Sequence, residues 1–476
     1  MSTPTPRAPM LATADALATL LGAAAPVAGT ETISTLDALN RVLAADVVSP
    51  LDVPPMHTSA MDGYAVRTAD LAGTGTDADA DSDADAPKRR LPVSQRIPAG
   101  HAPEPLKPGT AARIFTGATV PPGADAIVMQ EQTEATGDEV TILHRPQAGE
   151  WITAQGADIK QGSVILPAGT RLTPQALGLA ASVGCAELQV RRRVKVAVFF
   201  TGDELTMPGE PLKPGAIYNS NRFTLRGLLD KLGCDVTDFG NVADKLDATR
   251  ATLREAAVAH DLILTCGGVS VGEEDHVKPA VEAEGRLSMW QIAMKPGKPL
   301  AFGAVRRAAA GVGAGAGADS ARGADSEPVV DSPATGSTSP AGAAGSAAAN
   351  AATNTAINAT AAPETFFIGL PGNPVSSFAT FVLFVRPFIL RLAGAQTVAP
   401  RVLSLRADFT QGKADRRNEF LRARVNATGG LDLFPNQSSA VLTSTVWGDG
   451  LIDNPPNHAI SAGETVRFIP FSDLLN

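Results

Sequence analysis

Apolar, strand-like segments alternate with amphipathic, helix-like segments from Val194 onward, and this alternation constrains the fold more than any other feature of the chain. Apolar strands separated by helices are typical of an open, mostly parallel sheet with helices on its faces. The predicted elements are strand 194–200, helix 221–232, strand 234–239, helix 245–259, strand 261–266, helix 277–284, strand 366–370 and helix 375–392. Sheets of this kind bind ligands at the carboxyl ends of their strands, so a site is expected there.

The rest of the chain has shorter, β-like periodicity and divides into further domains. Short alternating runs bounded by Pro and Gly predict small β-domains. The fold class is therefore multidomain α/β plus β. The predicted division is a linking domain of residues 26–50 and 147–188, a small β-domain of 51–146, an α/β domain of 1–25 and 189–394, and a C-terminal β-barrel or sandwich of 395–476.

Two low-complexity segments are predicted to be disordered insertions. Residues 73–90 carry Asp at every second position from Asp77 to Asp85. Their start resembles a calcium loop, but Ser82 stands where such a loop needs Gly and Lys88 where it needs Glu, so an acidic surface insertion is the better interpretation. Residues 308–363 are mostly Ala, Gly, Ser, Thr, Asn and Pro, and they interrupt a predicted hairpin or short strand connection.

Composition narrows the classes of function. The chain has 476 residues, 44% of them hydrophobic, which allows several domains with cores of their own. A net charge of -9 disfavours nucleic acid as a partner. No run of 18 apolar residues and no signal-peptide pattern are evident, so we expect a cytoplasmic protein without a membrane partner. Cys185, Cys234 and Cys266 lack metal-ligand spacing and are predicted to be buried thiols in a reducing compartment.

Loops that carry glycine and carboxylate residues follow the predicted strands. They are Thr201–Leu205, Gly267–Asp275, Lys295–Pro299 and Leu370–Pro374. Glycine allows backbone N–H groups to approach an anion closely. Carboxylates beside a phosphate would repel it, and a divalent cation between them removes that repulsion. The loops therefore predict a phosphorylated ligand and a divalent cation.

Individual residues of these loops have structural alternatives. Asp244 is either a site residue or the N-cap of the following helix. Lys295 and Lys298 flank a Pro-Gly turn and are either ligand-binding cations or solvated surface charges. His276 is expected to have a surface or capping role.

The loop before helix 375–392 is predicted to be an anion site. Pro374 is a suitable first helical residue with Asn373 as its cap. This arrangement would leave the N–H groups of Val375, Ser376 and Ser377 free for an anion.

The β-domain carries a second set of polar loops. Residues 54–65 contain Asp62, and the strand ending at 113–118 contains Thr116. Polar loops on rigid scaffolds are frequent sites. Spacing alone leaves open whether these loops face the α/β domain or another subunit.

Taken together, these motifs resemble the molybdopterin molybdenumtransferase family, the MoeA-type enzymes that also occur as the E domain of gephyrin-like proteins. The matching segments are Ser59–Ala65, Ile114–Ala118, Gly156–Ile159, Thr201–Leu205, Gly267–Asp275, Met294–Pro299 and Leu370–Ser376. They occur in the family's order and span nearly the whole chain outside the two insertions.

The resemblance implies an elongated four-domain homodimer whose site draws on both subunits, with an α/β domain of the molybdopterin-binding type. It implies that adenylylated molybdopterin and molybdate are substrates, that Mg²⁺ is required and that AMP is released. A separate adenylyltransferase is the implied partner that supplies the pterin nucleotide.

The resemblance also assigns roles to residues. The implied catalytic residues are Asp62, Thr116, Asp158, Glu204, Asp244 and Asp275, of which Glu204, Asp244 and Asp275 are also the implied magnesium ligands. The implied ligand-binding residues are Gly267, Gly268, Ser270, Gly272, Lys295, Lys298, Pro371, Gly372, Pro374, Ser376, Arg422 and Ser439. One departure is Gln291, which stands where the family pattern has a basic residue, so oxyanion handling could differ in this chain.

Two other functions compete with this interpretation. An adenylyltransferase-like activity would use the same sheet and Gly-Gly-x-Ser loop, but it would need neither the β-domain nor the C-terminal domain. A non-catalytic, gephyrin-like scaffold or pterin-binding protein would not require the carboxylates Asp62, Glu204, Asp244 and Asp275, all of which are present.

Overall fold

The computed structural model describes residues 10–72, 88–269, 275–307 and 364–475. The chain forms two compact units. The α/β unit comprises Met1–Val27, Arg193–Ala393 and Val398–Asn476, and the β unit comprises Ala28–Arg192 and Gly394–Thr397. The predicted division into four domains stays a prediction. Residues 73–87 and 308–363, which make up most of the first insertion and all of the second, lie outside the described residues.

The β unit is built around a six-stranded sheet with the strand order β7-β4-β6-β5-β9-β8. Helix α1 (Thr13–Ala23), of the α/β unit, precedes it in the chain. The elements of the β unit are β1 (Thr30–Ser34), β2 (Val47–Val48), β3 (Thr58–Ser59), β4 (Gly63–Val66), α2 (Thr68–Leu71), β5 (Arg89–Ile97), β6 (Ala111–Ile114), β7 (Ala126–Met129), β8 (Thr133–Thr136), β9 (Glu139–Ile142), β10 (Ile152–Thr153), β11 (Val164–Leu166), α3 (Pro174–Ser182) and β12 (Glu187–Arg191). Three smaller strand pairs, β1 with β12, β3 with β10 and β2 with β11, complete the unit.

The α/β unit contains the predicted open sheet, with the strand order β16-β13-β17-β21-β20-β18. Its elements up to Leu392 are β13 (Lys195–Thr201), β14 (Leu205–Thr206), β15 (Ile217–Tyr218), α4 (Ser220–Lys231), β16 (Asp235–Val242), α5 (Leu246–Ala259), β17 (Leu262–Cys266), α6 (Val277–Glu284), β18 (Gly285–Gln291), β19 (Met294–Lys295), β20 (Pro299–Arg306), β21 (Glu364–Leu370), α7 (Pro374–Thr380) and α8 (Arg386–Leu392). The first four strands of the sheet pair in parallel, β20 pairs antiparallel with β21, and β18 pairs antiparallel with β20. The mostly parallel sheet is thus confirmed.

The central residues of strand β13, 196–200, are all apolar because both faces of the strand are buried. Val196, Val198 and Phe200 pack into one core cluster. Ala197 and Phe199 pack into a second cluster, which contains residues of α5 and α6. Because successive side chains point to opposite faces, a strand covered on both faces has no polar side. Each fully buried large side chain contributes roughly 1.5–3 kcal/mol.

The predicted helix 375–392 is interrupted by a π-helical turn over Phe381–Val385, between α7 and α8. Pro387 follows that turn, and its missing N–H and its ring disfavour a regular α-helical turn. The helix Pro374–Leu392 is long and apolar enough to cross a membrane, but 89% of its apolar window is buried inside the structure. Its apolar character is therefore that of a core helix.

Strands β20 and β21 form an antiparallel pair in which Arg306 lies opposite Glu364. The ends joined by residues 308–363 are consequently neighbours, as expected for an insertion into a hairpin.

The C-terminal part of the α/β unit is a second six-stranded sheet that includes one strand from the preceding segment. Its own elements are β22 (Leu403–Arg406), β23 (Asn418–Val425), β24 (Leu431–Leu433), α9 (Thr443–Trp447), β25 (Gly450–Asn454), β26 (Thr465–Pro470) and α10 (Phe471–Leu474). The order is β19-β23-β25-β26-β22, with β24 paired to β23. Strand β19 runs parallel to β23, which places the lysine-bearing turn against the C-terminal sheet.

Candidate active site

A cleft of about 710 Å³ lies in the α/β unit at the carboxyl ends of the parallel strands. Its volume suits a small organic ligand. All four predicted loops contribute to its wall, and the C-terminal sheet contributes Arg417, Gln437, Ser438 and Ser439. The predicted site residues that line it are Glu204, Asp244, Gly267, Gly268, Asp275, Lys295, Lys298, Pro371, Gly372, Ser376 and Ser439. Ser270 and Gly272 lie outside the described residues.

Asp244 is available to a ligand. The residue at the N-cap of α5 is Lys245, without a side-chain cap, so Asp244 does not have the capping role. Its Oδ1 is buried and accepts no hydrogen bond from the residues that the structure describes. Desolvation raises the pKa of Asp244, as do the neighbouring carboxylates Asp203, Asp275 and Glu204, whereas His276 lowers it. An acceptor atom without a partner in an acidic environment fits a bound cation.

The described carboxylates do not by themselves complete a metal site. Among the residues that the structure describes, no group of three or more His, Cys, Asp or Glu is arranged to hold a metal ion. Glu273 and Glu274 belong to the same loop as Asp275 and lie outside the described residues. Magnesium binding by Glu204, Asp244 and Asp275 therefore stays a prediction, supported by the unpartnered Oδ1 of Asp244.

The cations of the cleft differ in their partners. Lys295 Nζ lies 2.9 Å from Glu419 Oε1 and 3.4 Å from Asp415 Oδ2. Arg417 donates from Nε and from a terminal nitrogen to the two oxygens of Asp415, both at 2.9 Å. Lys298 forms no ion pair within the described part of the chain. Lys298 is thus the cation that can meet an incoming anion without first leaving a carboxylate.

Close backbone approaches explain two of the glycines. Gly267 has φ +100°, and a Cβ there would lie 2.4 Å from the carbonyl oxygen of Thr201. Gly297 has φ +107°, and a Cβ there would lie 2.6 Å from Thr380 Oγ1. Only glycine allows these loops to pack so closely against the floor of the cleft.

The expectation of a free helix N-terminus at α7 is wrong in two respects. Asn373 occupies the N-cap position, but its side chain makes no capping hydrogen bond. The N–H of Val375 donates to the carbonyl of Ser439 at 3.0 Å, and that of Ser377 donates to the carbonyl of Asn373 at 2.9 Å. Two of the three expected donors are therefore used. Pro374 lines an adjoining cavity of about 610 Å³ instead of the main cleft.

Arg422 does not reach the cleft and is a correction to the predicted binding set. Its side chain is 0% exposed. Its guanidinium donates to Ser444 Oγ at 3.0 Å and to the carbonyl of Ser438 at 3.1 Å. Burial lowers the pKa of Arg422 to about 10. Its observed contacts hold the loop that carries Gln437 and Ser438.

Sequence reasoning missed Arg417, Gln437 and Ser438 as residues that line the cleft. The available signal was the basic pair Arg416-Arg417 directly before β23. Gln291 ends β18, where its carbonyl accepts a hydrogen bond from the N–H of Leu11 at 3.0 Å, and it is not among the residues that form the cleft wall.

In the β unit, Asp62 and Thr116 form a tight pair. Asp62 Oδ1 accepts hydrogen bonds from the backbone N–H and from Oγ1 of Thr116, both at 2.8 Å. The backbone hydrogen bond is the largest cause that lowers the pKa of Asp62, followed by the side-chain bond. Asp158 is exposed in another loop of this unit, where its N–H donates to the carbonyl of Val53 at 3.0 Å.

Three protein-family models match the chain in succession. They are the MoeA N-terminal region (domain I and II) over residues 11–184, the probable molybdopterin binding domain over 197–391 and the MoeA C-terminal region (domain IV) over 404–471. The order and extent of these matches define a multidomain protein of the MoeA type.

Relatives and solved structures agree with this class. A molybdopterin molybdenumtransferase of Haemophilus influenzae is 35% identical over 454 residues, which cover 94% of this chain and 95% of the relative. One from Nostoc is 32% identical and covers 84% of this chain and 78% of the relative. The crystal structure of the molybdopterin biosynthesis MoeA protein of Pyrococcus horikoshii has a TM-score of 0.73 and 25% identity, and it covers 97% of this chain and 100% of that one. The chain belongs to the molybdopterin molybdenumtransferase family and is an enzyme of molybdenum cofactor biosynthesis.

Proposed function

We propose that this protein transfers molybdenum from molybdate to adenylylated molybdopterin in a Mg²⁺-dependent reaction that releases AMP. The observation that carries the proposal is the unpartnered Oδ1 of Asp244 in a cleft whose wall also includes Lys295, Lys298 and Arg417. Carboxylates and cations in one cleft suit a ligand with phosphate groups and a bound divalent cation.

The basic residues and the glycine loops would bind the anionic parts of the substrates. Lys298, without a carboxylate partner among the described residues, is the natural first contact for molybdate or for a phosphate group. Lys295 and Arg417 share Asp415 and are held in place on the same wall. Gly267, Gly268 and Gly372 leave room for the ligand to approach the backbone.

The carboxylates Glu204, Asp244 and Asp275 would hold the magnesium ion. Bound there, Mg²⁺ would neutralise phosphate charge and stabilise the charge that develops when the phosphoanhydride bond is cleaved. The chain's own contribution is to orient the carboxylates at the strand ends and to keep the ligand's phosphates beside the lysines.

The residues of the β unit complete the proposal. Asp62, Thr116 and Asp158 are proposed as catalytic residues, and the protein is proposed to act as a cytoplasmic homodimer. The pterin nucleotide is proposed to come from a separate adenylyltransferase, because the substrate is already adenylylated. Asp62 is suited to the role of a permanently ionised carboxylate, because Thr116 lowers its pKa.

The test is reconstitution with the purified full-length protein. Adenylylated molybdopterin, Mg²⁺ and molybdate would be added, and AMP release and the activation of an apo-molybdoenzyme would be followed. Both are expected, and Asp275→Ala should abolish both. Binding of the pterin without AMP release would favour the scaffold, and nucleotide transfer from ATP by this protein alone would favour the adenylyltransferase-like activity.

A further inference from the structure

Glu419 is a buried carboxylate next to the cleft whose oxygens both have partners. It is 1% exposed and is not one of the residues that form the cleft wall. Oε1 accepts from Lys295 Nζ at 2.9 Å, and Oε2 accepts from Asn454 Nδ2 at 3.3 Å. A carboxylate is costly to bury, and its partners must offset that cost. We therefore looked for the role of the buried Glu419 in its contacts with Lys295 and Asn454.

The backbone places these three residues in one row. Lys295 on β19 lies opposite Glu419 on β23, and Glu419 lies opposite Asn454 on β25. Directly opposite residues on neighbouring strands have side chains within contact distance. The row joins the edge of the cleft to the interior of the C-terminal sheet.

Asn454 is itself held in one orientation. It is 2% exposed, and its Nδ2 also donates to the carbonyl of His458 at 3.0 Å. Its Oδ1 accepts from His458 Nδ1 at 2.8 Å, while His458 Nε2 lies 2.9 Å from Glu464 Oε1. With its amide oxygen and nitrogen both engaged, Asn454 is oriented to donate to Oε2 of Glu419.

The second carboxylate near Lys295 is less able to hold it. Asp415 Oδ2 lies 3.4 Å from Lys295 Nζ, and both oxygens of Asp415 already bind Arg417. The hydrogen bond that Lys295 donates to Glu419 is the first cause that raises the pKa of Lys295. The ammonium position is thus determined mainly by Glu419.

We propose that Glu419, oriented by Asn454, is a positioning residue that fixes the Lys295 ammonium at the wall of the cleft. The functional consequence rests on the proposed function, because it assumes that Lys295 contacts the anionic substrate. The positioning itself can be measured without any substrate.

The direct test is competitive chemical labelling of lysine amines in the full-length protein, followed by mass spectrometry, with Lys298 as the internal reference. Removing the Glu419 charge weakens the hold on the protonated amine, and a change of one pKa unit alters the free-amine fraction tenfold. Glu419→Gln should therefore raise the ratio of Lys295 to Lys298 labelling several-fold, up to about tenfold. An unchanged ratio in a variant that unfolds at the wild-type temperature would overturn the proposal. Should Glu419→Gln not fold, Asn454→Ala is expected to give a smaller rise, and no rise would again overturn it.

A kinetic cycle tests the consequence for the reaction. Glu419→Gln should raise KM for the anionic substrate severalfold with little change in kcat. In a Lys295→Met background, Glu419→Gln should not raise KM any further, because a residue that acts through Lys295 has no effect when Lys295 is absent. The same fold-loss in both backgrounds would show that Glu419 acts independently. A wild-type protein without turnover would contradict the proposed function and leave the labelling result to decide the positioning.

Discussion

The hydroxyl and the backbone N–H of Thr116 both donate to the same oxygen of Asp62, at 2.8 Å each. Two donors on one carboxylate oxygen stabilise its ionised form, and the pKa of Asp62 is lowered accordingly. This pair joins a loop before β4 to the end of β6, so it also fixes the local geometry of the β unit.

The first prediction concerns this pair. In Thr116→Val the backbone hydrogen bond stays and the hydroxyl bond is lost, so the pKa of Asp62 should rise while remaining below its ordinary value. Since the folded-state pKa is depressed, the associated stability is present above the unfolded-state pKa and is lost as the pH falls through the folded-state pKa. A carbon-detected NMR titration of Asp62 checks this shift. The same Asp62 titration in Thr116→Val and wild type would contradict it.

The second prediction separates stability from activity at Asp244. Its pKa is raised by desolvation and by neighbouring carboxylates, so its charge opposes folding at neutral pH. Asp244→Asn should therefore unfold at the same or a higher temperature than wild type, yet lose about 100-fold or more in AMP release. Thermal unfolding with and without Mg²⁺ is the measurement. Magnesium should raise the unfolding temperature of the wild type and not that of the variant, and equal magnesium effects would contradict the assignment.

The third prediction compares the two lysines of the Pro-Gly turn. Lys298 has no ion pair within the described residues, whereas Lys295 is held by Glu419. Lys298→Met should weaken molybdate binding about tenfold, the size of one charged hydrogen bond, without lowering the unfolding temperature. Lys295→Met should lower both the molybdate affinity and the unfolding temperature, because it leaves Glu419 buried without its cation. Calorimetric titration with molybdate measures the affinity of both variants, and thermal unfolding measures their stability. A Lys298→Met protein with wild-type molybdate affinity would exclude direct contact.

The fourth prediction concerns the close packing of Gly297. Gly297→Ala forces a positive φ on alanine and a contact with Thr380 Oγ1, and it should destabilise by more than about 1 kcal/mol. Gly215→Ala is the matched control, because Gly215 has φ +84° but open space around its Cβ position. Denaturant unfolding of both variants isolates the packing contribution. Equal destabilisation would show that the contact with Thr380 has no effect.

The sheet of the α/β unit could be predicted because its strands are buried on both faces. The strand 261–266 that its apolar run predicts differs by one residue from the observed Leu262–Cys266. The π-helical turn over Phe381–Val385 could not be predicted, because it depends on how one helix accommodates Pro387 in a packed core.

The loops that form the candidate site could be predicted from the sequence, but the contacts between residues distant in the chain could not. Glu204, Asp244 and Asp275 follow strands whose carboxyl ends meet, so sequence order places them together. The pair of Lys295 and Glu419 spans 124 residues and arises from the parallel β19–β23 ladder, which no local pattern indicates. The burial of Arg422 could not be predicted for the same reason, since it is set by the loop at Gln437 and Ser438 that folds over it.

The ratio of AMP released to molybdenum inserted in a single turnover is the decisive measurement for the proposed reaction. The protein would be loaded with adenylylated molybdopterin and Mg²⁺, molybdate would be added, and both products would be quantified in wild type and in Asp275→Ala. Equimolar AMP and molybdenum-loaded pterin are expected from the wild type, and neither is expected from the variant. Pterin that stays bound while no AMP appears, with molybdate and Mg²⁺ both present, would contradict it.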